Sequence, residues 1–466
     1  MNLLRNKYIG RLLKARGFPV LAQVMMLAVF ILLILGGLGV TTNDPLCGQY
    51  LRDTNLANLI VWSYWWPAII IAAVLFGRLW CMVCPMELIT YCAGRIGLKR
   101  PIPDFLKSGW VVTVFYTLVW IVGIQTLAVN RIPHQMALYM LLLILVAVDV
   151  SLIFQRRAFC SYVCPVGHLL GLYALISPFE WRAGDVSVCQ SCRTKDCVAK
   201  KNRHRLAGRS CTSNLYPASI GDNQDCLLCT QCLKACPRDN LRFSARWPLA
   251  DLLTRVDLRP AQVGFILMLS GFVGYEILSE WPVSFAVMMW APDRLTRMLG
   301  LQGGMSSLVS AILLFVIGPT LALFAVGALA KLASGRERIS FGTTAKTFAL
   351  LLLPTIAGAH IIKSLLRMSS RLPYWRGVFS DPRGIETARR MVAGTLIPDE
   401  SVTVALDPAV SFAAIALLLV SLAATVLVFR RTVAERKLSP GVGAVLFLAA
   451  LVYWGLFGVT IFRGRL

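Results

Sequence analysis

Long apolar stretches, separated by short polar loops, follow one another along most of this chain of 466 residues. A helix that crosses a bilayer needs about 20 mostly apolar residues, because each of its backbone amides must be hydrogen-bonded within the segment. The pattern therefore predicts an all-α polytopic membrane protein with about nine transmembrane helices. These helices are expected at residues 18–40, 59–76, 110–129, 136–154, 261–278, 306–332, 348–366, 410–429 and 442–462.

One polar region interrupts this pattern and divides the chain into three parts. Residues 1–177 hold four predicted transmembrane helices, residues 178–259 form a polar insert rich in cysteine, and residues 260–466 hold about five more helices. Because an even number of helices precedes the insert, we expect the insert on the same side of the membrane as the amino terminus.

Composition and charge support the membrane assignment and suggest its orientation. The chain is 57% hydrophobic, with a net charge of +24 and a mean hydropathy of +0.67. Its lysines and arginines fall mainly in alternate loops, which is the distribution that keeps basic loops in the cytoplasm. We therefore expect the amino terminus and the insert to be cytoplasmic, in a bacterial inner membrane, with the lipid bilayer and not a nucleic acid as the partner of the basic residues.

Residues 363–390 depart from this alternation, because they place seven basic residues where the outer side is expected. Long loops cross the membrane largely regardless of their charge. An amphipathic helix on the surface, or a miscounted transmembrane helix, would also explain the departure.

The insert contains a cysteine pattern with a specific chemistry. It holds eight of the 14 cysteines of the chain, and the last four have the C-x2-C-x2-C-x3-C-P spacing of bacterial ferredoxins. Three thiolates two residues apart reach three irons of one cubane from a tight loop, so the spacing predicts a [4Fe–4S] cluster. The residues of this run are Cys226, Cys229, Cys232, Cys236 and Pro237.

A less regular group of cysteines precedes this run and predicts a second [4Fe–4S] cluster. Its members are Cys189, Cys192, Cys197 and Cys211. Either each group of four binds its own cluster, or the groups exchange their fourth member as in two-cluster ferredoxins. Exchange would give the sets Cys211, Cys226, Cys229, Cys232 and Cys189, Cys192, Cys197, Cys236. Zinc sites usually come as two separated cysteine pairs, and disulfides are rare in the cytoplasm, so both fit less well.

Two similar elements, here named the CP elements, follow the second and fourth predicted helices. Residues 77–89 read GRLWCMVCPMELI and residues 156–170 read RRAFCSYVCPVGHLL, a weak internal repeat that needs a one-residue gap. Their thiolates would form a further metal centre, a copper site or a redox-active dithiol, since soft ligands suit Cu(I) and iron–sulfur clusters. Alternatively, they are ordinary buried thiols. The four cysteines are Cys81, Cys84, Cys160 and Cys164.

Basic residues are also frequent between the cysteines of the insert. They would form a docking surface for an acidic redox partner, or they reflect the cytoplasmic bias together with attraction to anionic lipid. The second interpretation is the simpler. The residues concerned are Lys200, Lys201, Arg203, Arg205 and Arg209.

At these motifs the chain resembles the NosR/NapH group of membrane polyferredoxins. The two CP elements and the cysteine run carry the resemblance, which covers roughly the first 245 residues. It implies four helices and two [4Fe–4S] clusters that serve electron flow between the quinol pool and a partner oxidoreductase, and related members reduce copper for haem–copper oxidases. The chain differs from the family in its first CP element, which has one residue fewer between its cysteines, and in the helices after the insert.

Ionisable residues inside the predicted helices are candidates for quinol and proton handling, because such residues are costly in lipid. Glu276 and His360 lie toward the outer ends of their helices, and Asp149 lies toward the cytoplasmic end of its own. Glu276 and His360 would then share a pocket. Otherwise Glu276 reaches the membrane interface and His360 bonds to a neighbouring helix.

These features lead to one main hypothesis and two alternatives. The main hypothesis is a membrane-bound iron–sulfur electron-transfer protein, a subunit of a quinol-linked oxidoreductase system, that links the quinone pool or a cytoplasmic donor to a partner redox protein. The first alternative is a redox-driven factor that binds and reduces copper at the CP cysteines during assembly of a respiratory metalloenzyme. The second is a transporter or scaffold whose clusters sense redox state.

Overall fold

The computed structural model describes residues 2–254, 256–335 and 339–465, and most of them are helical. The strands are Phe179–Ala183 and Leu241–Ala245. In chain order the helical elements are Leu3–Arg5, Lys7–Lys14, Val20–Gly37, Pro45–Thr54, Leu56–Leu59, Ile60–Trp65, Trp66–Phe76, Leu79–Val83, Pro85–Ile96, Asp104–Lys107, Trp110–Leu118, Val119–Ile124, Pro133–Ile153, Phe159–Val163, Pro165–Ala174, Val186–Gln190, Lys200–Asn202, Pro217–Ser219, Gln231–Ala235, Pro260–Leu278, Pro282–Met298, Gly303–Ile312, Leu313–Ile317, Gly318–Ala333, Phe341–Ser370, Leu372–Tyr374, Trp375–Ser380, Ile385–Val392, Ser401–Arg436 and Pro440–Arg465.

Within these described ranges, eight helices are long and apolar enough to cross a membrane. Each coincides with a helix predicted from the hydrophobic pattern. The remaining prediction, at residues 110–129, corresponds to a shorter apolar helix, Trp110–Ile124. This helix ends early because the chain enters turns after it, with Ala128 in the left-handed region at a φ of 51°. The protein is an all-α polytopic membrane protein, as the pattern predicted.

The chain forms two compact units. The first, named here the cysteine unit, consists of Met1–Leu35, Ile69–Val112 and Leu138–Thr254. The second, named the helical unit, consists of Gly36–Ala68, Thr113–Ala137 and Arg255–Leu466. The cysteine unit contains both CP elements and all cysteines of the insert. The predicted three-part division at residues 177 and 259 stays a prediction.

A small apolar core in the cysteine unit surrounds the paired strands of the insert. Phe179–Ala183 and Leu241–Ala245 pair antiparallel, with Trp181 opposite Phe243. The core contains Trp181 together with Leu13 from the amino-terminal helix Lys7–Lys14. Burial of these side chains from water is the main force that holds the insert and the amino-terminal helix together. The other buried core residues are Leu228, Leu233 and Leu241.

One helix is central to the helical unit. Phe341–Ser370 is buried along nearly all of its length and packs against Pro260–Leu278, Ser401–Arg436 and Pro440–Arg465. Small residues allow this close approach, as is usual between helices in membranes. A Cβ added at Gly358 would lie 2.9 Å from the Cβ of Ser421.

The basic stretch at residues 363–390 has a structural explanation within the helical unit. It includes a short amphipathic helix, Ile385–Val392, which packs on Pro45–Thr54 through Ala388. Three basic residues of the stretch 363–390 form ion pairs, so they do not act as free positive charges. The pairs are Lys363 with Glu280 at 2.6 Å, Arg367 with Glu276 at 3.1 Å and Arg371 with Asp53 at 2.7 Å.

Candidate functional site

Four thiols line the first of two neighbouring cavities in the insert. Burial, with smaller contributions from neighbouring thiolates, raises the pKa of Cys226 to about 12 and that of Cys211 to about 11. Such thiols give up their protons when a bound metal supplies positive charge. We name this group the Cys211 set, and its members are Cys211, Cys226, Cys229 and Cys232.

Another four thiols line the second cavity. Asn240 connects two of them, because its Nδ2 donates to the Sγ of Cys189 at 3.3 Å and its backbone N–H donates to the Sγ of Cys236 at 3.4 Å. Cys232 lines this cavity as well as the first one, so the two cavities are direct neighbours. We name this group the Cys189 set, and its members are Cys189, Cys192, Cys197 and Cys236.

The structure thus groups the eight cysteines in the exchanged arrangement. Cys236 lies beside Cys189, Cys192 and Cys197, because the short helix Gln231–Ala235 separates it from the loop that contains Cys226 and Cys229. Cys211 lies beside that loop instead. Among the described residues, no three His, Cys, Asp or Glu side chains are arranged around a position for a single metal ion. Ligation of [4Fe–4S] clusters by the two sets stays a prediction.

The backbone of the ferredoxin-like loop forms a concave surface beside the Cys211 set. Leu228 and Thr230 have φ values of 53° and 58°. This left-handed conformation is uncommon for residues other than glycine and tends to occur at functional sites. Turns of this kind expose backbone N–H groups to one concavity, which suits an anionic group such as a cluster with its thiolates. The indole of Trp181 completes the surface by donating to the Sγ of Cys232 at 3.2 Å.

The second cysteine of each CP element caps a helix. Cys84 is the N-cap of Pro85–Ile96, and Cys164 is the N-cap of Pro165–Ala174. Proline is favoured at the first helical position because that position needs no N–H donor. The Sγ of Cys164 accepts a hydrogen bond from the backbone N–H of Gly167 at 3.3 Å. The positive end of each helix dipole therefore faces a cysteine and favours its thiolate form.

A wider helical turn absorbs the one-residue difference between the two CP elements. Leu79–Val83 is α-helical, whereas Phe159–Val163, which includes the extra residue, is π-helical. The backbone N–H of Cys164 donates to the carbonyl of Phe159 at 2.8 Å, which is the i to i−5 bond of a π-turn. Cys164 consequently keeps the same capping position as Cys84, and the two elements are structurally equivalent despite the gap in their alignment.

The two CP elements bring their cysteines to one partly buried place. Burial raises the pKa of Cys84 well above its ordinary value, and the nearby thiolates of the other three cysteines raise it further. Burial likewise raises the pKa of Cys164 to about 12, with a smaller contribution from Cys160. We name this group the CP set, and its members are Cys81, Cys84, Cys160 and Cys164.

A buried ionic network connects the CP elements to the insert. Glu87, which is 1% exposed, pairs with Arg157 at 2.7 Å and with Arg209. Gln23 donates to the other carboxylate oxygen of Glu87 at 2.7 Å. A buried charge is tolerated only when it is paired and hydrogen-bonded, so Glu87 depends on all three partners. Its position between the two arginines ties the first CP element to the second and to the loop before Cys211.

Arg157 also lies between the CP set and the Cys211 set. Its Nη1 donates to the Oγ1 of Thr212, the neighbour of Cys211, at 3.3 Å. Burial lowers the pKa of Arg157, whereas the thiolates of Cys160 and Cys229 raise it. The three thiol groups therefore form a row in which the Cys211 set adjoins both the CP set and the Cys189 set.

In the helical unit, Glu276 and His360 line one cavity. Trp66 and Phe272 lie near the imidazole, with ring centroids 6.2 and 6.0 Å away. Two cations beside the cavity, Lys363 and Arg367, pair with Glu276. The residues around this cavity are Trp66, Pro67, Phe272, Val273, Glu276, His360, Lys363, Ser364 and Arg367. Asp149 belongs to the cysteine unit, where its side chain is exposed on Pro133–Ile153.

Several residues beside the thiols were not found from the sequence. Glu87 lies within the first CP element but has no role in its cysteine pattern, whereas Gln23 and Asn240 occur outside any motif, and only the fold identifies all three. Arg209 was grouped with the surface basic residues, but it is 1% exposed because it pairs with Glu87 and lies 4.7 Å from the ring of Tyr91. The neighbouring Lys200, Lys201 and Arg205 are exposed. The sequence provides one signal of charged residues beside the thiols, which is the arginine three residues before the first cysteine of each CP element.

Comparisons with known proteins agree with the sequence resemblance. A family model described as a 4Fe-4S binding domain matches residues 58–103 and 136–183, so each matched segment contains one CP element. The chain is 24% identical to the ferredoxin-type protein NapH of Haemophilus influenzae over 44% of this chain and 74% of that one. It is 32% identical to the putative electron transport protein YccM of Escherichia coli over 23% of this chain and 28% of that one.

An uncharacterized protein of Methanocaldococcus jannaschii is 25% identical over 38% of this chain and 68% of its own. No solved structure matches the chain. The resemblance to membrane polyferredoxins is confirmed by these matches. The protein is a multi-pass membrane protein that binds an iron–sulfur cofactor and takes part in electron transfer.

Proposed function

Starting from this resemblance to membrane polyferredoxins, we propose that the Cys189 set and the Cys211 set each ligate one [4Fe–4S] cluster, and that the protein passes electrons between them and the CP set. The insert faces the cytoplasm in this proposal, in agreement with its basic loops. Clusters of this kind exchange electrons with neighbouring redox centres, and their potentials depend on charge and hydrogen bonds at the sulfurs.

The observation that carries the proposal is the grouping of eight cysteines around two adjacent cavities. The first cavity is lined by the four thiols of the Cys211 set, and the second by the four thiols of the Cys189 set together with Cys232, which lines both. Hydrogen bonds to sulfur from Trp181, Asn240 and the backbone at Leu215 are already formed. Donors of this kind stabilise ligating thiolates. The two cavities therefore have the ligand number, the exchange and the outer hydrogen bonds that a two-cluster ferredoxin site requires.

Anaerobic purification of the full chain in detergent, followed by iron and acid-labile sulfide analysis and EPR spectroscopy, tests this function. After reduction we expect the signal of two magnetically interacting [4Fe–4S] clusters. Cys226→Ser should remove the contribution of the Cys211 set, and Cys192→Ser that of the Cys189 set. Cys47→Ser is the matched control, because Cys47 is buried in the helical unit and belongs to none of the three sets. A preparation that contains zinc and no iron would contradict the proposal.

The donor of the electrons is proposed to be a quinol bound at the cavity around Glu276 and His360. A quinol needs a proton acceptor and hydrogen-bond donors near its ring, and aromatic side chains that pack on its faces. The carboxylate of Glu276, the imidazole of His360 and the rings of Trp66 and Phe272 supply these groups.

Glu276→Gln separates this quinol proposal from the cluster proposal. We expect the variant to retain its iron and its dithionite-reduced EPR spectrum, but to lose about 100-fold or more in the rate at which a short-chain quinol reduces the clusters, the loss typical of removing an acid–base group. Glu280→Gln is the control, because Glu280 pairs with the same Lys363 but does not line the cavity. An unchanged rate in Glu276→Gln would place quinol oxidation elsewhere.

A further inference from the structure

The two CP elements contact each other in a reciprocal way. The first arginine, Arg78, stands three residues before Cys81, and its Nη2 would lie 2.9 Å from a Cβ added at Gly167, three residues after Cys164. The second arginine, Arg157, stands three residues before Cys160 and pairs with Glu87, three residues after Cys84, at 2.7 Å. Each arginine therefore crosses to the equivalent position of the other element. This exchange is what a two-fold repeat produces when both halves build one site.

Both arginines are buried without enough buried negative charge to balance them. Arg78 is 5% exposed and Arg157 is 3% exposed. Arg157 shares Glu87 with Arg209, and the acidic side chain near Arg78, that of Asp225, is exposed. Leaving a charge buried and unpaired is strongly destabilising. An anionic group between the two elements would provide the missing charge, whereas four neutral thiols or two disulfides would not.

Unsatisfied hydrogen-bond donors indicate a missing acceptor in the same region. Within the part of the chain that the structure describes, the Nε atoms of Arg78 and Arg157 are buried and have no hydrogen-bond partner. Buried donors of this kind usually have partners. Two helix N-termini, capped by Cys84 and Cys164, add positive potential at these cysteines. Sulfide and thiolate sulfurs are acceptors that would satisfy these groups.

We propose that Cys81, Cys84, Cys160 and Cys164 jointly ligate one additional [4Fe–4S] cluster, shared between the two CP elements, with Arg78 and Arg157 as its charge-balancing residues. The inference deepens the proposed function and rests on it. A cubane with four thiolate ligands is an anion with exposed sulfide acceptors, which fits the cations and the donors. The family model described as 4Fe-4S binding matches each CP element separately, yet neither element alone provides four thiolates.

Iron and sulfide analysis of the full chain distinguishes a third cluster from other occupants. We expect about twelve iron atoms per chain from three cubanes, against about eight from the insert alone. Cys84→Ser and Cys164→Ser should each lower the count by about four and leave the EPR signals of the insert clusters in place. Cys92→Ser is the matched control, because Cys92 is exposed on the same helix that Cys84 caps. About eight iron atoms in the wild type, or copper or zinc at the CP set, would overturn the proposal.

The same measurements separate failure of this inference from failure of the proposed function. Variants of the insert, Cys192→Ser and Cys226→Ser, should each lose iron while the CP cluster remains. If the insert variants lose iron and the CP variants do not, only the third cluster is refuted. If neither group of variants loses iron, the proposed function is contradicted as well.

The role of Arg78 has a test that a merely structural residue would not pass. Removing a positive charge beside the cluster should make its reduction harder, so Arg78→Gln should shift one component of an EPR-monitored redox titration to lower potential. The iron content should stay constant, and Arg78→Lys should restore most of the wild-type potential because it keeps the charge. A potential that does not move in Arg78→Gln, with the cluster present, would refute this role.

Discussion

Glu87 shows how one buried carboxylate holds together three separate pieces of chain. Its oxygens contact Arg157 of the second CP element, Arg209 of the insert and Gln23 of the first transmembrane helix. The desolvation of such a group is offset only by its full set of partners. Both arginines approach thiol sets, so Glu87 also determines where positive charge lies relative to the sulfurs.

We expect Glu87→Gln to destabilise the protein strongly, by about 3–5 kcal/mol, because the change leaves two buried arginines without their counter-charge. Differential scanning fluorimetry in detergent checks this outcome. We expect it to show a large decrease in the apparent unfolding temperature. Asp104→Asn is the control, since Asp104 pairs with Lys107 on the exposed surface, and it should leave the unfolding temperature unchanged. Equal effects of the two changes would show that the network is not stabilising.

The cysteines of the insert were predictable to a large extent, whereas the residues that surround them were not. Ligand spacing is a local property, so the C-x2-C-x2-C-x3-C-P run identifies its own chemistry. Which cysteines share a cavity depends on how the chain returns, and the sequence alone left two groupings open. Arg209 lies in a loop of basic residues that sequence treats as surface, and only its contact with Glu87, 122 positions away along the chain, explains its burial.

Glycine positions set the spacing between helices in the helical unit. A Cβ added at Gly271 on Pro260–Leu278 would lie 2.5 Å from the carbonyl oxygen of Leu314 and 2.9 Å from the Cγ of Pro319. The same addition at Gly274, one turn later, would meet nothing within 4 Å. Hydrophobic patterning predicted this helix correctly but does not reveal which of its glycines is a packing contact.

Gly271→Ala should destabilise the protein by about 1–3 kcal/mol, because an added methyl group in a close-packed contact forces the helices apart. Gly274→Ala should be neutral or stabilising by up to about 1 kcal/mol, because alanine loses less backbone entropy in a helix. Apparent unfolding temperatures of the two variants, measured side by side, check the prediction. A Gly271→Ala variant as stable as the Gly274→Ala variant would contradict the contact.

Helix positions followed the hydrophobic pattern because the lack of water in a bilayer forces apolar residues into hydrogen-bonded helices. Phe341–Ser370 and Ser401–Arg436 extend beyond the predicted segments at both ends. The difference at Trp110–Ile124 has a local cause in the turns that follow it. The π-turn Phe159–Val163 was not predictable, because a single extra residue reads as a gap in an alignment. In the structure that residue widens one turn and leaves Cys164 in place.

The orientation of the whole chain in the membrane was inferred from its basic loops, and residues 363–390 were the exception. Counting charges treats each lysine and arginine as free. Ion pairs of Lys363, Arg367 and Arg371 with acidic residues of neighbouring helices reduce the net positive charge of that region. Under the proposed orientation, these contacts between helices, which the sequence does not display, explain the exception.

Cysteine labelling in membrane vesicles tests the proposed orientation. In a Cys92→Ser background, we expect Lys201→Cys in the insert to react with an impermeant maleimide only in inside-out vesicles. Asp399→Cys, in the loop before Ser401–Arg436, should react only in right-side-out vesicles. Both positions are exposed, so accessibility does not limit the reaction. Labelling of both positions from the same side would refute the proposed topology.

The short helix Gln231–Ala235 places Cys232 and Cys236 at its two ends, and these residues belong to different thiol sets. Any rotation of this one turn of chain disturbs both cavities together. Under the proposed ligation, delivery of iron and sulfide is then an all-or-none event, since the first cubane to assemble orients a ligand for the second. Limited iron during synthesis should yield a mixture of empty and fully loaded molecules, with few that carry a single cluster.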